Sequence, residues 1–483
     1  MYLGIDVGTS SLKTVLANEK GEIIDQSSAS YELLIPKQGW TEQDPDDWYL
    51  AEIKTIKEIG KRNDLTKVKG ISFSGQMHGL VILDKNNKVI RPAILWNDQR
   101  TIEETNYLNT KIGREKLISY TGNIAFTGFT APKLLWLKKH ESNNFKKINK
   151  IMLPKDYTAF KMCNTFATDV SDASGTLIFD VHHKCWSKQM IKFLGINEKQ
   201  LPKIYESYEI IGNVSKEFAS LTGLSTSAKV IIGGGDQAIG AIGTGTVDNN
   251  MISISLGTSG VVFAACDTFK KTESGAMHAF CHANGKYHIM GVMLSAAGSF
   301  DWWCNDILRT RHFSDINKEI SKSKISNLYF LPYISGERSP INDPIATGSF
   351  INLTLSHKRG DLSRAVIEGI NFGLLDNLIS INNLNIKPTS ARVIGGGAKS
   401  KIWLQMLADT LGIKLHTINT SEGGALGAII LAMVGCRQYK NVQIACKKII
   451  KDVETYHPNM TNNKIYRNKF AKFKSYYLTL RAV

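Results

Sequence analysis

Length, composition and charge exclude several classes of protein before any motif is considered. The 483 residues exceed what one hydrophobic core usually serves, which predicts two domains of comparable size. With 43% hydrophobic and 21% charged residues, the chain has the balance of a folded protein rather than a disordered one. The formal charge of +16 is spread along the chain without an aromatic-basic motif, so nucleic acid is not an expected partner.

The chain opens with a strand, a tight turn and a second strand. A short apolar run ends at Asp6, and an alternating run resumes at Leu12, which is typical of a hairpin. Backbone N–H groups and hydroxyls in such a turn bind phosphate oxygens, and a carboxylate beside them suits Mg²⁺. A plain turn with a capping aspartate is the alternative interpretation. The candidate phosphate and metal residues are Asp6, Gly8, Thr9, Ser10 and Ser11.

Two polar segments after predicted strands suit a polyol. The first follows the apparent strand 68–73, and the second, 95–100, adds an aromatic face, an amide, a carboxylate and a guanidinium. Amides, carboxylates and an imidazole match sugar hydroxyls, and an indole face packs on sugar C–H groups. Each such residue taken alone is more often part of the core or of the surface. The candidate substrate residues here are Gln76, Met77, His78, Trp96, Asn97 and Asp98.

A carboxylate follows three glycines near the middle of the chain. The run 230–235 reads as a buried strand entering a glycine turn, and Asp236 then opens a helix of small residues. Phosphoryl transfer to an alcohol needs a base that orients the hydroxyl and accepts its proton. We therefore predict Asp236 as the general base, with helix N-capping as the alternative.

The opening pattern returns in the second half of the chain. Residues 254–259 repeat the apolar run and the Gly-Thr-Ser turn of residues 5–10, with Ser255 in the place of Asp6. A repeat at half the chain length predicts two related halves rather than a solenoid. The sequence therefore predicts an α/β fold with domains 1–245 and 246–483. The second set of candidate phosphate residues is Gly257, Thr258 and Ser259.

A third glycine segment follows the predicted strand 391–394 and opens a helix. A glycine run of this kind lets a flat ligand lie against the backbone, although it is a weak signal alone. The sequence contains no G-x-x-x-x-G-K-[ST] run, which excludes a Walker-type phosphate loop. The candidate nucleotide residues here are Gly396, Gly397, Ala398 and Lys399.

The remaining features concern location and other ligands. The N-terminus lacks a basic start with a long apolar core, and the apolar run 425–434 is too short to span a bilayer, so no membrane association is expected. Seven cysteines without a C-x-x-C pair favour free thiols in a reducing cytoplasm. His278, Cys281 and His282 match no common zinc spacing.

With these segments in place, the chain resembles the FGGY family of carbohydrate kinases over nearly its full length. The resemblance rests on the two Gly-Thr-Ser turns, on the glycine segment 395–400 and on the segment 130–137 with its Lys-x-x-Trp core. Segments 75–79, 95–100, 153–157 and 335–340 are similar to those of members that phosphorylate D-xylulose.

The resemblance implies two ribonuclease-H-like domains of the actin, sugar-kinase and heat-shock-chaperone type, which close over ATP, Mg²⁺ and a sugar. It implies that Asp236 takes the proton from the C5 hydroxyl of D-xylulose, that Met77 and His78 contact the sugar, and that Asp6 lies near the metal. Another sugar or polyol substrate (ribulose, gluconate or glycerol) is the alternative, and a non-enzymatic actin-like protein is a remote one. A homodimer is a further family-level expectation.

One residue departs from the family pattern. The family commonly has Asn after the catalytic Asp, whereas this chain has Gln237. An extra methylene shifts the amide by about 1.5 Å, which is enough to disturb a hydrogen bond to the sugar. Gln237 is therefore a candidate substrate residue with an expected effect on sugar preference.

Overall fold

The computed structural model describes residues 1–420 and 423–481, and two seven-stranded mixed sheets form its centre. The strands are, in chain order, β1 (Tyr2–Val7), β2 (Ser11–Ala17), β3 (Ile23–Ser30), β4 (Glu42–Gln43), β5 (Gly70–Gly75), β6 (Val81–Leu83), β7 (Ala93–Ile94), β8 (Lys150–Met152), β9 (Ala167–Asp169), β10 (Phe179–Asp180), β11 (Cys185–Trp186), β12 (Lys203–Tyr205), β13 (Ile210–Asn213), β14 (Lys229–Ile231), β15 (Gly234–Gly235), β16 (Ile252–Leu256), β17 (Gly260–Cys266), β18 (His278–Cys281), β19 (Tyr287–Met293), β20 (Tyr329–Leu331), β21 (Ser349–Ile351), β22 (Ser390–Ile394), β23 (Lys414–Ile418) and β24 (Asp452–Tyr456).

Helices cover both faces of the sheets. They are α1 (Pro45–Gly60), α2 (Ile102–Leu108), α3 (Arg114–Thr121), α4 (Thr130–His140), α5 (Ser142–Lys147), α6 (Pro154–Cys163), α7 (Val170–Ala173), α8 (Lys188–Leu194), α9 (Lys216–Thr222), α10 (Asp236–Gly243), α11 (Ala297–Trp302), α12 (Phe313–Lys322), α13 (Arg359–Asn382), α14 (Lys401–Leu411), α15 (Gly423–Gly435), α16 (Val442–Ile449) and α17 (Met460–Arg481). In the described part of the chain, none of them combines the length and the apolarity that crossing a bilayer requires.

The first sheet has the order β13-β14-β5-β1-β2-β3, with β15 beside β5. Strand β1 pairs antiparallel with β2 and parallel with β5, so the carboxyl ends of β1 and β5 meet at one edge. Tyr2 and Gly4 on one face of β1 and Leu3, Ile5 and Val7 on the other are buried, as expected for a central strand whose two faces are both covered by other elements. This edge carries Asp6 and the turn that follows it.

The second sheet repeats this arrangement, in the order β18-β19-β17-β16-β22-β23-β24. Strand β16 pairs antiparallel with β17 and parallel with β22, as β1 does with β2 and β5. The sequence echo between residues 5–10 and 254–259 therefore corresponds to equivalent hairpins of two similar halves. The predicted α/β class is confirmed.

Helices α10 and α15 pack against each other between the sheets and form the floor of a cleft. A Cβ atom at Gly427 would lie 2.0 Å from the carbonyl oxygen of Ile239, and one at Gly243 would lie 1.9 Å from that of Gly423. Apolar side chains of both helices belong to one buried cluster. The halves thus share a core at the base of the cleft. Along the chain, α10 ends just before the predicted domain boundary at residues 245 and 246.

Candidate active site

Two connected cavities occupy the cleft, and both are lined by Asp236 and Gln237. The inner cavity has a volume of about 140 Å³ and the outer one about 300 Å³. The first half contributes Met77, His78 and Trp96 to the inner cavity. The second half supplies its opposite wall, with Ser259, Val261, His278, Phe280, Met290, Val292 and Arg338. The outer cavity is lined by, among others, Asp6, Ser255, Gly395 and Gly424.

Asp236 stands where the two cavities meet. It is the first residue of α10, and its Oδ1 accepts a hydrogen bond of 2.8 Å from the backbone N–H of Gln237, while Gly235 is the N-cap. Burial, followed by the negative charge of Asp6, raises the pKa of Asp236 to about 7. A carboxylate with this pKa can take up a proton from a hydroxyl near neutral pH.

A buried ionic cluster fixes the backbone just before Asp236. Lys155 Nζ lies 2.6 Å from Asp156 Oδ1 and 3.0 Å from Asp169 Oδ1, and all three side chains are fully buried. Ser171 Oγ donates to Asp169 Oδ2 at 2.5 Å and accepts from the N–H of Gly235 at 3.2 Å. The cluster therefore holds the strand that carries the candidate base, and sequence reasoning missed the roles of Asp169 and Ser171.

Three side chains brace the first Gly-Thr-Ser turn. The N–H of Gly8 donates to the carbonyl of Ser11 at 3.1 Å, and the Tyr31 hydroxyl donates to the carbonyl of Gly8. Gln43 Nε2 donates to the carbonyl of Thr9 at 2.6 Å, and Trp96 Nε1 donates to Thr9 Oγ1 at 3.0 Å. Trp96 thus links the wall of the inner cavity to this turn.

Gln76 lies behind the turn rather than in the inner cavity. Its Nε2 donates to Gln43 Oε1 at 3.1 Å, which also accepts from Trp48 Nε1 at 3.0 Å. Gln76 is 2% exposed, and it is absent from the residues that line either cavity. In this conformation it stabilises the turn through Gln43, which sequence reasoning did not single out.

His78 presents a hydrogen-bond acceptor to the inner cavity. Its Nδ1 lies 2.7 Å from the carbonyl oxygen of Gly175, and because a carbonyl only accepts, Nδ1 carries the proton and Nε2 is left as an acceptor. Burial lowers the pKa of His78 to about 3, so the ring is neutral, and it stacks on Phe129 at a centroid distance of 4.5 Å. Met77 lines the same cavity.

The structure does not place Asp98 where a sugar could bind it. Its side chain is fully buried; Oδ1 accepts from Arg100 Nε at 2.9 Å, and Oδ2 accepts from Arg100 Nη2 at 2.8 Å and from the N–H of Thr41 at 2.7 Å. Asn97 Oδ1 accepts from Thr41 Oγ1 at 2.8 Å, and neither residue lines a cavity. In this structure the Asp98 carboxylate is thus taken up by Arg100 and Thr41, and its contact with a sugar stays a prediction.

The second turn is anchored on the N-terminus of α11. The carbonyl of Thr258 accepts from the N–H of Ala296 at 2.9 Å, and that of Gly257 accepts from Ala297 at 2.9 Å. Ser259 lines the inner cavity, opposite the side chains of the first half.

The third glycine segment faces the outer cavity through Gly395. This residue has φ +97°, and a Cβ atom there would lie 2.6 Å from the carbonyl oxygen of Leu256, so only glycine fits. A short 3₁₀ turn, Gly396–Lys399, follows, and Ser400 caps α14. Gly397 is buried against Leu256, whereas Gly396 and Lys399 are exposed and Ala398 is half-buried.

Two carboxylates line the outer cavity beside a glycine of α15. Asp6 and Asp236 line this cavity, and a Cβ atom at Gly424 would lie 2.9 Å from Asp6 Oδ2, so glycine leaves that carboxylate room. Within residues 1–420 and 423–481, no group of three or more His, Cys, Asp or Glu side chains is arranged to hold a metal. Mg²⁺ is commonly bound by one or two carboxylates together with phosphates and water.

Most of the second-half wall of the inner cavity was missed from the sequence. Ser259 was predicted as a phosphate residue, and His278 was considered only as a metal ligand. Arg338 drew attention only through the family resemblance of segment 335–340, and Met290 and Val292 drew none. Their position depends on how the two halves face each other, which no local pattern encodes.

Two similar α/β halves, each with a Gly-Thr-Ser hairpin at a shared cleft and with a raised-pKa carboxylate between two cavities, define a ribonuclease-H-like sugar-kinase fold. The chain belongs to the FGGY family of carbohydrate kinases: residues 1–243 match the N-terminal domain of that family and residues 252–436 match its C-terminal domain. It is an enzyme of this family, which sets aside the non-enzymatic alternative.

Among its relatives are several xylulose kinases. The chain is 41% identical to the xylulose kinase of Escherichia coli (strain K12) over 92% of this chain and 91% of that protein. It is 38% identical to the xylulose kinase of Staphylococcus xylosus over 98% and 99% of the two chains. A solved "xyloylose kinase" structure from Brucella ovis has a TM-score of 0.95 and 34% identity and covers 100% and 99% of the chains.

Proposed function

We propose that the chain phosphorylates D-xylulose at its C5 hydroxyl with ATP, which gives D-xylulose 5-phosphate and ADP. The observation that carries the proposal is the position of Asp236, between a small inner cavity that suits a sugar and an outer cavity lined by Asp6, Ser255 and Gly395. The names of the relatives at 38% and 41% identity support xylulose as the sugar.

The transfer step follows from this placement. Asp236 accepts the proton of the C5 hydroxyl as its oxygen forms a bond to the γ-phosphorus, and the bond from that phosphorus to the β,γ-bridging oxygen breaks to release ADP. Met77, His78, Trp96 and Gln237 line the inner cavity and would surround the sugar. Asp6 would hold Mg²⁺, which neutralises charge on the phosphates when it is bound.

The two turns and the glycine segment would bind different parts of the nucleotide. The backbone and hydroxyls of Gly8–Ser11 and of Gly257–Ser259 would bind phosphate oxygens from opposite sides of the cleft. The segment Gly396–Lys399 would carry the adenosine. Since each half supplies part of both cavities, closure of the cleft would exclude water from the reacting atoms.

A second candidate is a kinase for gluconate, ribulose or glycerol. A solved gluconate kinase structure from Lactobacillus acidophilus has a TM-score of 0.95 and 27% identity and covers 99% of this chain and 98% of that chain. Gln237 lines both cavities and stands where the family commonly has Asn, so its longer side chain can change the sugar that fits.

An ADP-release assay with Mg²⁺ and ATP separates these candidates. D-xylulose, D-ribulose, gluconate and glycerol are compared at equal concentration, with ATP alone as the blank. We expect the highest turnover with D-xylulose. Faster turnover with another of the four would reassign the substrate, and no turnover above the blank with any of them would contradict the proposal.

The assembly and the domain boundary are proposals of the same kind. We propose two domains, 1–245 and 246–483, and a homodimer in solution. Light scattering coupled to gel filtration gives the mass directly, and a mass equal to that of one chain of 53.6 kDa would contradict the dimer.

A further inference from the structure

A single cation, Arg338, projects into the inner cavity of the site. Its guanidinium carbon lies 5.6 Å from the ring centroid of Phe126, and its backbone N–H donates to Glu337 Oε1 at 2.7 Å. Across residues 1–420 and 423–481, no acidic side chain forms a salt bridge with the guanidinium and no oxygen accepts a side-chain hydrogen bond from it. Arg338 therefore presents free donors to the cavity.

The loop that carries Arg338 is held firmly on the second sheet. The N–H of Ser339 donates to the carbonyl of Val292 at 2.9 Å, and Ser339 Oγ donates to the carbonyl of Ala276 at 2.8 Å. Glu337 Oε1 also accepts from the N–H of Leu294 at 2.8 Å. The backbone of Arg338 is thus fixed on the second half, beside a cavity whose base, Asp236, belongs to the first.

The acid that interacts with this charge is Glu337, which forms no salt bridge with the guanidinium and whose pKa burial raises to about 7. Two rings of the same wall, His78 and His278, are neutral because burial lowers the pKa of both, and the charge of Arg338 lowers them further. A buried cation without a partner costs stability, and such costs persist at functional sites. We therefore expect a molecule bound in the inner cavity to supply the hydrogen-bond acceptor for the Arg338 guanidinium.

Resting on the proposed function, we propose that Arg338 is the specificity-determining residue for a 2-ketose, and that its guanidinium donates to the C2 carbonyl oxygen of the open-chain sugar. A guanidinium only donates hydrogen bonds and a carbonyl oxygen only accepts them, so the two are complementary. His78 Nε2 is an acceptor and takes a sugar hydroxyl. An alcohol at C2 brings a proton for which Arg338 offers no acceptor.

The position of Asp236 fits this orientation. Asp236 lines both cavities, whereas Arg338 lines only the inner one, so a linear sugar with its reacting hydroxyl at Asp236 extends inward. The carbonyl end of the chain then reaches the cavity that Arg338 of the second half lines. Recognition of the ketone thereby requires the two halves to be together.

The test compares the full-length protein with Arg338→Met and Arg338→Lys on D-xylulose and on xylitol and D-arabinitol, the alcohols formed by reducing its C2. We expect kcat/KM for D-xylulose to fall about 10- to 100-fold in Arg338→Met, as for the loss of a hydrogen bond to a charged group, and less for the alcohols. Arg338→Lys, which keeps a donor, should fall in between. An equal fall for ketose and alcohols would overturn the inference.

Thermal unfolding without sugar distinguishes recognition from support of the fold. Since Arg338→Met removes a charge that has no salt-bridge partner, we expect the Tm of this variant to equal or exceed that of the parent protein. We also expect added D-xylulose to raise the Tm of the variant less than it raises the Tm of the parent protein. A lower Tm without sugar would assign Arg338 to the fold and overturn the inference. Absence of D-xylulose turnover in the parent protein would instead contradict the proposed function itself.

Discussion

Asp236 combines a position that suits proton transfer with an environment that disfavours its charge. Burial and the nearby Asp6 both raise its pKa, to about 7. The neutral acid therefore predominates below this pH, and the carboxylate that can act as a base predominates above it. Two predictions follow at the scale of this residue.

Replacing Asp236 with Asn removes the base but keeps the shape. We expect kcat to fall about 10²- to 10⁴-fold, which is the usual contribution of a general base, while the dissociation constant of ATP stays within about threefold. Steady-state kinetics and a nucleotide titration measure the two quantities. Glu273→Gln, at an exposed position, is the matched control. Turnover near that of the parent protein would refute the assignment.

The same substitution should change stability in a pH-dependent way. Because the folded-state pKa of Asp236 is raised above its unfolded value near 4, the stability that its neutral form provides is present below that value and is lost as the pH rises through about 7. The Tm of Asp236→Asn should therefore exceed that of the parent protein by an amount that grows between about pH 4 and pH 7 and then levels off. A Tm difference independent of pH would contradict the raised pKa.

Residue-level prediction from sequence depended on how local the signal was. His78 and Asp236 follow strands, and the structure brings both to the inner cavity. Asp98 has the same carboxylate group as Asp236, but it forms a buried ion pair with Arg100, two residues further along the chain. A sequence motif does not show whether its own charged residues pair with each other. Arg338 reaches the cavity only because the second half faces the first.

At the scale of elements, the contact of α10 with α15 is the tightest link between the halves. A Cβ atom at Gly427 would meet the carbonyl oxygen of Ile239 at 2.0 Å, whereas one at Gly240 would meet no atom within 4 Å. The helices can approach this closely only because the side chain at the contact is a hydrogen atom.

Two glycine substitutions therefore have opposite expected effects. Gly427→Ala should lower the free energy of unfolding by about 1–3 kcal/mol through overpacking, whereas Gly240→Ala should raise it by about 0.5–1 kcal/mol through helix propensity. The Tm of each variant, measured by calorimetry, gives the sign. Equal shifts for the two would show that the helix contact does not constrain the structure.

The elements themselves were largely predictable. The Gly-Thr-Ser turns and the glycine run before α10 are local patterns, and each joins the elements expected of it. The strand expected from residue 68 begins at Gly70, because the N–H of Val68 donates to the carbonyl of Leu65 and closes a 3₁₀ turn. Propensity favours a strand at Val68, and the capping bond of the preceding turn overrides it.

At the scale of the whole molecule, the site exists only between the halves. The first half supplies Asp6 and Asp236, and the second supplies Ser259 and Arg338. The duplicated hairpin predicted two halves, but their relative orientation depends on the shared core of α10 and α15, which long-range packing determines. Which sugar binds therefore depends on the side chains of both halves that line the inner cavity.

The position of the transferred phosphoryl group tests the central claim most directly. The purified protein is incubated with Mg²⁺, ATP and D-xylulose, and the product is analysed by proton–phosphorus correlation NMR. The account predicts a phosphorus signal coupled to the two protons at C5, together with an equal amount of ADP, and formation of this product at least about 100-fold more slowly with Asp236→Asn. A phosphate at C1, or release of inorganic phosphate with the sugar unchanged, would contradict it.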